Sequence, residues 1–341
     1  SKSMLKHLTT LALLLGGCAQ VFAEDLSKTD SDLSKDDLDT LGAITISSST
    51  LSFLGSSFII GCYLMFPRLR RTSHQIFWLS IADAMSCIGY WIGNRGIKQL
   101  DTDSDHHGDD SLCKFQAVWI QFFSLASVLW TSCLAYHLYV RVIKHQSDTD
   151  RLELIFHAIV WPFCFLLAML PFSTKNYGPA GYICWIDSTN KAEADSGTLW
   201  RYFVFYIEVW FCLVFNAAIY IMIVRYVNRV YNIQGMSTAT QSERKEKSLV
   251  DRLKFYPMVL LVIWFFPTIN RLHNSASPND TSFGLYALAA WFGPLQGFFN
   301  CMVYGLTRNV RMELKRRFCG GSDIELEATR GSESAAGRDE L

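Results

Sequence analysis

Seven stretches of this chain are apolar over the length of a membrane-spanning helix, and mostly short polar connections separate them. A helix rises 1.5 Å per residue, so a span needs about 20 predominantly apolar residues. The stretches that come close to this length or exceed it lie at 43–66, 75–97, 114–142, 153–171, 201–225, 254–272 and 283–306. Because the connections are short, we expect one all-α bundle of seven transmembrane helices over residues 43–306. No internal repeat relates the two halves, which disfavours inverted-repeat transporter folds.

The beginning of the chain has the layout of a secretory signal peptide. A short basic start is followed by the apolar run Leu8–Leu15 and by small residues that end at Ala23. This order predicts a signal peptide over residues 1–23, and a retained extra helix is the alternative. Ser1–Ser3 stand before the methionine and have no evident role. An acidic extracellular N-terminus is expected at 24–42.

The distribution of lysine and arginine predicts the orientation of the bundle. Basic residues concentrate in the first, third and fifth connections and after the last span, whereas the second connection is rich in aspartate. By the positive-inside rule the basic side is cytosolic, so the N-terminus is outside and the C-terminus is cytosolic. A glycosylation sequon at Asn279 falls on the last outer connection and agrees with this polarity. We therefore expect a multi-pass protein of the plasma membrane.

Composition supports a membrane protein and excludes other classes. Half of the residues are hydrophobic and 18% are charged, below the roughly 25% of soluble domains. Because the formal net charge is zero, no bulk attraction to nucleic acid is expected. The ten cysteines include no CxxC pair, so we predict no zinc module, no other metal and no cofactor.

Two cysteines outside the signal peptide, Cys113 and Cys184, fall in predicted outer connections. A disulfide between them would tie the top of the third span to the second outer connection in an oxidising compartment. The alternative is the chance placement of two free thiols. The cysteines within the spans are interpreted as small apolar packing residues.

Two polar residues lie deep inside predicted spans. Asp83 is eight residues from the inner end of the second span, and Asn300 is six residues from the inner end of the seventh. At 1.5 Å per residue these depths are about 12 Å and 9 Å. We expect one polar layer that differs between a resting and an active packing of the helices. A static hydrogen-bonded pair is the alternative.

Polar residues near the outer side suggest a ligand pocket. Glu208 and Gln121 lie at similar depth in the fifth and third spans and are expected at the floor of an outward-open pocket. For Glu208 the alternative is a salt bridge to Arg201. A phosphate-bearing ligand would need cations around the rim, whereas rim cations otherwise act as snorkelling anchors. The candidate rim cations are Arg95, Lys98, Lys175 and Arg271.

The predicted inner face is basic. A rim of cations around the inner mouth could dock a cytosolic protein or attract anionic membrane lipids, and its members are Arg141, Arg225, Arg229 and Lys254. Residues 307–319 are expected to form a short amphipathic eighth helix on the inner leaflet, with Cys319 as a palmitoylation site. A cytosolic tail is expected at 320–341.

Local sequence adds a family resemblance to this topology. The run Cys113–Val142 resembles the third helix of the slime-mould cyclic-AMP receptors and their plant and fungal relatives. Further matching segments are Leu79–Asp83, Tyr177–Ile186, Tyr256–Pro257 with Ile269–Arg271, and Gln296–Gly305. Secretin-type receptors are more distant by pattern. The resemblance implies a class E G-protein-coupled receptor that transmits an extracellular small-molecule signal to a heterotrimeric G protein, with a cyclic nucleotide among the candidate ligands. The basic inner rim would then dock a Gα subunit.

Three other functions compete with the receptor interpretation. A seven-span solute transporter is the leading alternative, because a polar outer cavity would serve either purpose. An enzyme is not predicted, since the sequence has no HExxH or GxSxG and no paired catalytic aspartates within spans. A retinal-binding protein is excluded because no lysine occurs between Lys254 and Lys315, so the seventh span lacks a Schiff-base partner.

Overall fold

A mostly helical chain with two short strand pairs emerges from the computed structural model. It describes residues 29–30, 34–67, 74–93, 95, 111–146, 150–187, 194–234, 256–277, 281–305 and 308–318. The uninterrupted elements are β1 (Thr29–Asp30), α1 (Lys35–Met65), α2 (His74–Trp91), α3 (Ser111–Val142), α4 (Asp150–Met169), β2 (Tyr177–Pro179), β3 (Cys184–Ile186), α6 (Tyr256–Ala276), β4 (Thr281–Ser282) and α8 (Arg308–Phe318).

Two further helices change their winding along their length. α5 consists of Ala194–Arg201, a π-helical turn at Tyr202–Tyr206, and Ile207–Gln234. α7 consists of Phe283–Phe292, a 3-10 turn at Gly293–Leu295, Gln296–Asn300, and a π-helical turn at Cys301–Gly305. Pro294 lies in the 3-10 turn, where its missing N–H removes a helical hydrogen bond.

Helices occupy all seven positions at which the sequence predicts spans. Four helices of the described residues are long and apolar enough to cross a membrane, at Lys35–Met65, Ser111–Val142, Arg151–Thr174 and Ser196–Val230. Large apolar side chains point outward from these helices, and Leu154 and Phe211 are 71% and 69% exposed. Such a surface suits contact with lipid tails.

The first helix begins earlier than the apolar pattern predicts. α1 starts at Lys35, so residues 35–42 of the expected N-terminal segment are helical. Ser34 caps this start: its hydroxyl accepts from the Asp37 N–H at 3.1 Å, and the Asp37 carboxylate accepts from the Ser34 N–H at 3.0 Å. This reciprocal capping box, with an acidic first turn, stabilises a helix start that apolar content does not signal.

Small residues allow α1 and α7 to approach closely. The Gly297 N–H donates to the Ser52 hydroxyl at 2.9 Å, and the Ser48 hydroxyl donates to the Ala290 carbonyl at 3.1 Å. Hydroxyl and glycine contacts of this kind pack helices where apolar burial offers no driving force.

A short hairpin and a disulfide define one end of the bundle, which we call the disulfide end. β2 and β3 pair antiparallel, with Gly178 opposite Trp185. Cys184 at the start of β3 is bonded to Cys113 in the first turn of α3, with 5.2 Å between their Cα atoms. The hairpin is thereby held against α3. The six described cysteines within the helices are free thiols, and β1 pairs with β4.

At the opposite end of the bundle, α8 packs against the last turns of α1. Val310 is buried with Cys62 and Phe66, and Leu314 lies against them. The other predictions for the chain ends and loops concern residues outside the described ranges: the signal peptide at 1–23, the tail at 320–341, and Lys98, Lys254, Asn279 and Cys319.

Candidate binding site

A cavity lies at the disulfide end, between the hairpin and the ends of five helices. It encloses about 460 Å³ of space between atoms, including space open to solvent. Its walls come from α2, α3, α5, α6 and α7 together with the turn between β2 and β3. Six of its thirteen lining residues are aromatic, namely Tyr90, Tyr182, Trp185, Phe205, Tyr206 and Trp264.

Arg271 on α6 provides the positive charge of this cavity. One guanidinium nitrogen donates to the Ala180 carbonyl at 3.2 Å, and the guanidinium lies 5.6 Å from the centroid of the Trp185 ring. No ion pair of Arg271 with a carboxylate occurs within the described ranges. A buried cation without a carboxylate partner favours an anionic ligand.

Tyr182, in the turn of the hairpin, contributes a phenol that stays protonated. Burial raises the pKa of the Tyr182 hydroxyl above its ordinary value, and the neighbouring Tyr90 acts in the same direction, whereas Arg271 opposes it. The side chain packs edge-on against Tyr286, with 6.2 Å between the ring centroids. At neutral pH the group is therefore a neutral hydroxyl that can donate and accept hydrogen bonds.

Two glutamines of α3 set the position of the hairpin wall. Gln116 donates to the carbonyls of Gly89 and Gly93 at 3.2 and 2.9 Å and accepts from the Cys184 N–H at 3.1 Å. Gln121 accepts from the Trp185 indole N–H and donates to the Val204 carbonyl, each at 2.8 Å. Both side chains are fully buried, so these bonds fix Trp185 relative to α2, α3 and α5.

The expected pocket floor differs from the observed cavity. Neither Gln121 nor Glu208 lines the cavity. Gln121 contacts Trp185, which does line it, and α5 contributes Phe205 and Tyr206 instead of Glu208. Glu208 follows the π-helical turn at Tyr202–Tyr206, and a turn of this kind shifts the helical phase of the residues after it. Arg201 donates to the Ile186 carbonyl at 2.7 Å and thus braces β3.

The expected rim cations separate into different environments. Arg271 lines the cavity, whereas Arg95 and Lys175 are exposed to solvent. Lys175 adopts a left-handed backbone conformation, with φ of 56°, where the 3-10 turn after α4 ends. Nothing in the described structure joins these two side chains to the cavity.

The predicted polar layer is assembled from three helices. Asn300 of α7 donates to Asp83 Oδ2 at 2.7 Å, and the Ser127 hydroxyl of α3 donates to Asp83 Oδ1. Gln296 of α7 donates to the Ser127 oxygen at 2.6 Å. Asp83 and Asn300 are thus in direct contact, and Ser127 and Gln296 extend the layer beyond the pair that the sequence suggested.

The end opposite the disulfide presents the expected cations to solvent. Arg141 closes α3, and Arg225 and Arg229 lie near the end of α5, and all three are exposed. No group of three or more His, Cys, Asp or Glu side chains that could hold a metal ion occurs in the part of the chain that the structure describes.

Of the residues that line the cavity, the sequence predicts Arg271 but not the others, among them Trp264 and Asn270. These two residues share one side of α6 with Pro267 and Arg271. Trp264 lies seven positions and Pro267 four positions before Arg271, so the position of Arg271 signals their shared side. Asn270 is the immediate neighbour of Arg271, and helical spacing carries no such signal for it.

The model of the slime mold cyclic AMP receptor family matches residues 38–323. The chain belongs to this family. It is therefore a membrane receptor of the G-protein-coupled class, a class that takes a ligand and acts on a G protein.

Individual relatives agree with membership of the cyclic AMP receptor family. G-protein coupled receptor 1 of Arabidopsis thaliana is 30% identical over 289 residues, covering 84% of this chain and 83% of that protein. Cyclic AMP receptor-like protein A of Dictyostelium discoideum is 27% identical, covering 84% and 69%. The human G-protein coupled receptor 157 is 25% identical, covering 80% and 82%.

A solved structure shares the fold. Squid rhodopsin superposes with a TM-score of 0.62 at 15% identity, over 84% of this chain and 87% of that one. At this identity the likeness concerns the path of the backbone alone.

Proposed function

We propose that this receptor spans the plasma membrane seven times, with the disulfide end outside and the opposite end in the cytosol. An extracellular small molecule binds in the cavity, and the cytosolic end couples to a heterotrimeric G protein. The observation that carries the proposal is the buried Arg271 inside an aromatic cavity at the disulfide end. A disulfide at that end suits an oxidising compartment.

A cyclic nucleotide is the first ligand to test. Two of the relatives in Dictyostelium discoideum are named cyclic AMP receptors, and a cyclic nucleotide combines an anionic phosphate with a flat base. Arg271 would hold the phosphate, while Trp185 and Phe205 would face the base. Arg95, Lys98 and Lys175 then attract the anion toward the mouth without contacting it.

The cytosolic end is proposed to bind Gα through its exposed cations. Arg141, Arg225 and Arg229 form this surface, and Lys254 extends it in the sequence. α8 lies along the inner leaflet as an amphipathic helix, which palmitoylation of Cys319 would anchor. On the outer side, removal of residues 1–23 and glycosylation of Asn279 accompany this orientation.

Ligand binding is proposed to reach the G protein through the polar layer. Asp83 is shared by hydrogen bonds from α3 and α7, so a movement of α7 must change its partners. A ligand that binds one packing more tightly shifts the population toward it. Glu208 belongs to a different surface of α5 and is proposed to act on helix packing there.

The test is guanine-nucleotide exchange on membranes that contain the receptor and a heterotrimeric G protein. Cyclic AMP, cyclic GMP, sugars and amino acids are added one at a time. Exchange that rises with one compound, and that a variant with all three exposed arginines changed to alanine has lost, supports the proposal. Uptake of a compound into sealed vesicles without exchange would instead identify a solute transporter.

A further inference from the structure

Four ring side chains from three helices cluster where α2 and α4 flank α3. Trp78 of α2, Trp130 of α3, and His157 and Trp161 of α4 have ring centroids 4.7 to 6.5 Å apart in every pairing. Trp130 is fully buried, whereas the other three rings are partly exposed. This cluster, which we call the aromatic seam, therefore has a buried base and an outer layer that another molecule can reach.

The aromatic seam opens on a surface of the bundle that suits lipid. Leu154, Ile155 and Ile159, which are neighbours of His157 on α4, are each more than half exposed. Apolar side chains are exposed in this way where a membrane protein contacts lipid tails. His157 lies four residues after Glu153, at which the apolar stretch of α4 begins, so it is about 6 Å inside the span. The seam therefore faces lipid near the edge of the hydrocarbon core, at the end opposite the disulfide.

His157 carries a hydrogen-bond donor that the described part of the protein does not use. Its Nδ1 accepts from the Trp161 indole N–H at 2.9 Å, because an indole nitrogen can only donate. In a neutral imidazole the proton is then on Nε2. The Nε2 atom has no partner within the described ranges, and it is not one of the fully enclosed atoms of that kind. An acceptor oxygen that arrives from the membrane can therefore bind it, and no water competes in hydrocarbon.

The rings beside this donor form a rigid surface of similar orientation. The Trp161 ring is inclined by 22° to the His157 ring and by 29° to the ring of Phe122 on α3. Phe122 is partly exposed, and its centroid lies 5.9 Å from that of Trp161. A flexible acyl chain loses rotational freedom on a fixed surface, whereas a molecule of fused rings is already rigid and loses little. The seam therefore favours a flat, rigid lipid over an acyl chain.

We propose that the aromatic seam binds a sterol. His157 donates its Nε2–H to the sterol hydroxyl oxygen, and Trp161 and Phe122 pack against the fused rings. A sterol places its hydroxyl at the polar edge of the hydrocarbon core, which is the depth at which His157 lies. A phospholipid that offered an ester carbonyl to the same donor is the competing occupant. The site lies outside the cavity at the disulfide end and depends neither on the ligand proposed for that cavity nor on coupling to a G protein.

The experiment measures sterol binding by photo-crosslinking. Full-length receptor is placed in phosphatidylcholine nanodiscs that contain a cholesterol analogue with a diazirine in its ring system, and labelled peptides are mapped by mass spectrometry. Label should concentrate on α2, α3 and α4 at the seam. Unlabelled cholesterol should displace it, whereas the 3-epimer, whose hydroxyl points the other way, should compete at least about fivefold less well, as expected for one hydrogen bond. Photoreactive phosphatidylcholine is the parallel probe and should show no preference for the seam.

Matched variants test the two residues that define the site. His157→Phe keeps a flat ring but removes the donor, so the half-saturating mole fraction of the sterol probe should rise about fivefold. His137→Phe is its control, because His137 is a buried histidine of α3 outside the seam. Trp161→Leu removes ring surface and should raise the same quantity at least about fivefold. Trp200→Leu is its control, a partly exposed tryptophan of α5 that contacts Phe203. Both controls should stay within about twofold.

Several results would overturn the inference. Equal competition by the 3-epimer, or label spread evenly around the bundle, would reduce the seam to ordinary lipid contact. Preferential labelling by photoreactive phosphatidylcholine that cholesterol does not displace would assign the donor to a phospholipid ester. An unchanged half-saturating fraction in His157→Phe would remove the hydrogen bond on which the site depends. The comparison of the two epimers uses the wild-type receptor and needs no variant to fold.

Discussion

Asp83 connects three helices through its two carboxylate oxygens. Asn300 of α7 and Ser127 of α3 each donate to one oxygen, and Gln296 of α7 donates to Ser127. Both oxygens of Asp83 act as acceptors here, whereas an asparagine at this position would offer one acceptor oxygen and one NH2 donor. The helices joined here also build the cavity wall, so the layer is placed to sense their relative position.

Asp83→Asn should reduce signalling more than binding. The amide keeps the size of the side chain but replaces one of the two acceptor oxygens by a donor, which weakens the layer by about 1 kcal/mol and shifts a two-state equilibrium about fivefold. We expect maximal ligand-stimulated exchange to change on this scale, with ligand affinity within about twofold. Ser80→Ala is the control, because its buried hydroxyl bonds only within α2, to Ile76. Lost binding with normal coupling would contradict the assignment.

The contact between α1 and α7 depends on Gly297, which has no side chain. A Cβ added to Gly297 would overlap Ser56 Oγ and would lie 2.8 Å from Ser52 Oγ and 2.9 Å from the Ser52 carbonyl oxygen. The carbonyl belongs to the backbone of α1 and cannot rotate away. The 3-10 turn of α7 immediately precedes this contact, so the glycine lets a locally rewound helix stay close to α1.

Gly297→Ala should destabilise the bundle. Overpacking of this kind costs about 1–3 kcal/mol, which corresponds to a fall of about 1–4 °C in melting temperature for a protein of this size. The measurement is thermal unfolding of the purified receptor. Gly61→Ala is the matched control on α1, because the nearest atom to its added Cβ is the end of the Met65 side chain at 4.0 Å. Equal melting temperatures of the two variants would argue against a close contact.

The stability of the hairpin end should depend on the Cys113–Cys184 disulfide, so that loss of either cysteine has the effect of losing both. The Cys113–Cys184 bond closes a separation of 71 residues, for which loop-closure entropy predicts about 4 kcal/mol. Cys113→Ser, Cys184→Ser and the double variant should therefore lose similar stability and ligand binding, because any one of them removes the whole bond. Peptide mapping without reducing agent should recover the linked peptides. Additive losses in the double variant would show that the two cysteines act separately.

At the scale of the whole molecule, the two ends of the bundle differ in chemistry. One end carries the disulfide, the hairpin and the cavity, whereas the other carries exposed arginines and α8. This polarity matches a receptor that detects a molecule on one side of a membrane and acts on a protein at the other.

A C-terminal tag should be protected in intact cells. Because the positive-inside rule assigns the arginine-bearing end to the cytosol, protease added outside should leave the tag uncut, and detergent should make it accessible. A second tag placed after residue 24 should be cut in intact cells. Cleavage of the C-terminal tag without detergent would invert the proposed orientation.

Periodicity and charge predicted the number and positions of the helices, because a helix in lipid must be apolar over a set length. The pairing of Asp83 with Asn300 was also accessible, since depth along a span follows from residue number. The early start of α1 was not anticipated, although Ser34 and Asp37 form a capping signal in the sequence. The signal consists of two polar side chains, so a search for long apolar stretches does not detect it.

The chain's hydrophobic pattern and its family motifs were sufficient for the seven helices, the membrane setting and the receptor class. The composition of the cavity depended on tertiary structure. Glu208, which follows a π-helical turn, does not line it, whereas Trp264 and Asn270 on α6 do. Sequence spacing gives depth along a helix, but the direction of a side chain depends on local winding and on how neighbouring helices pack. Those are properties of the folded bundle.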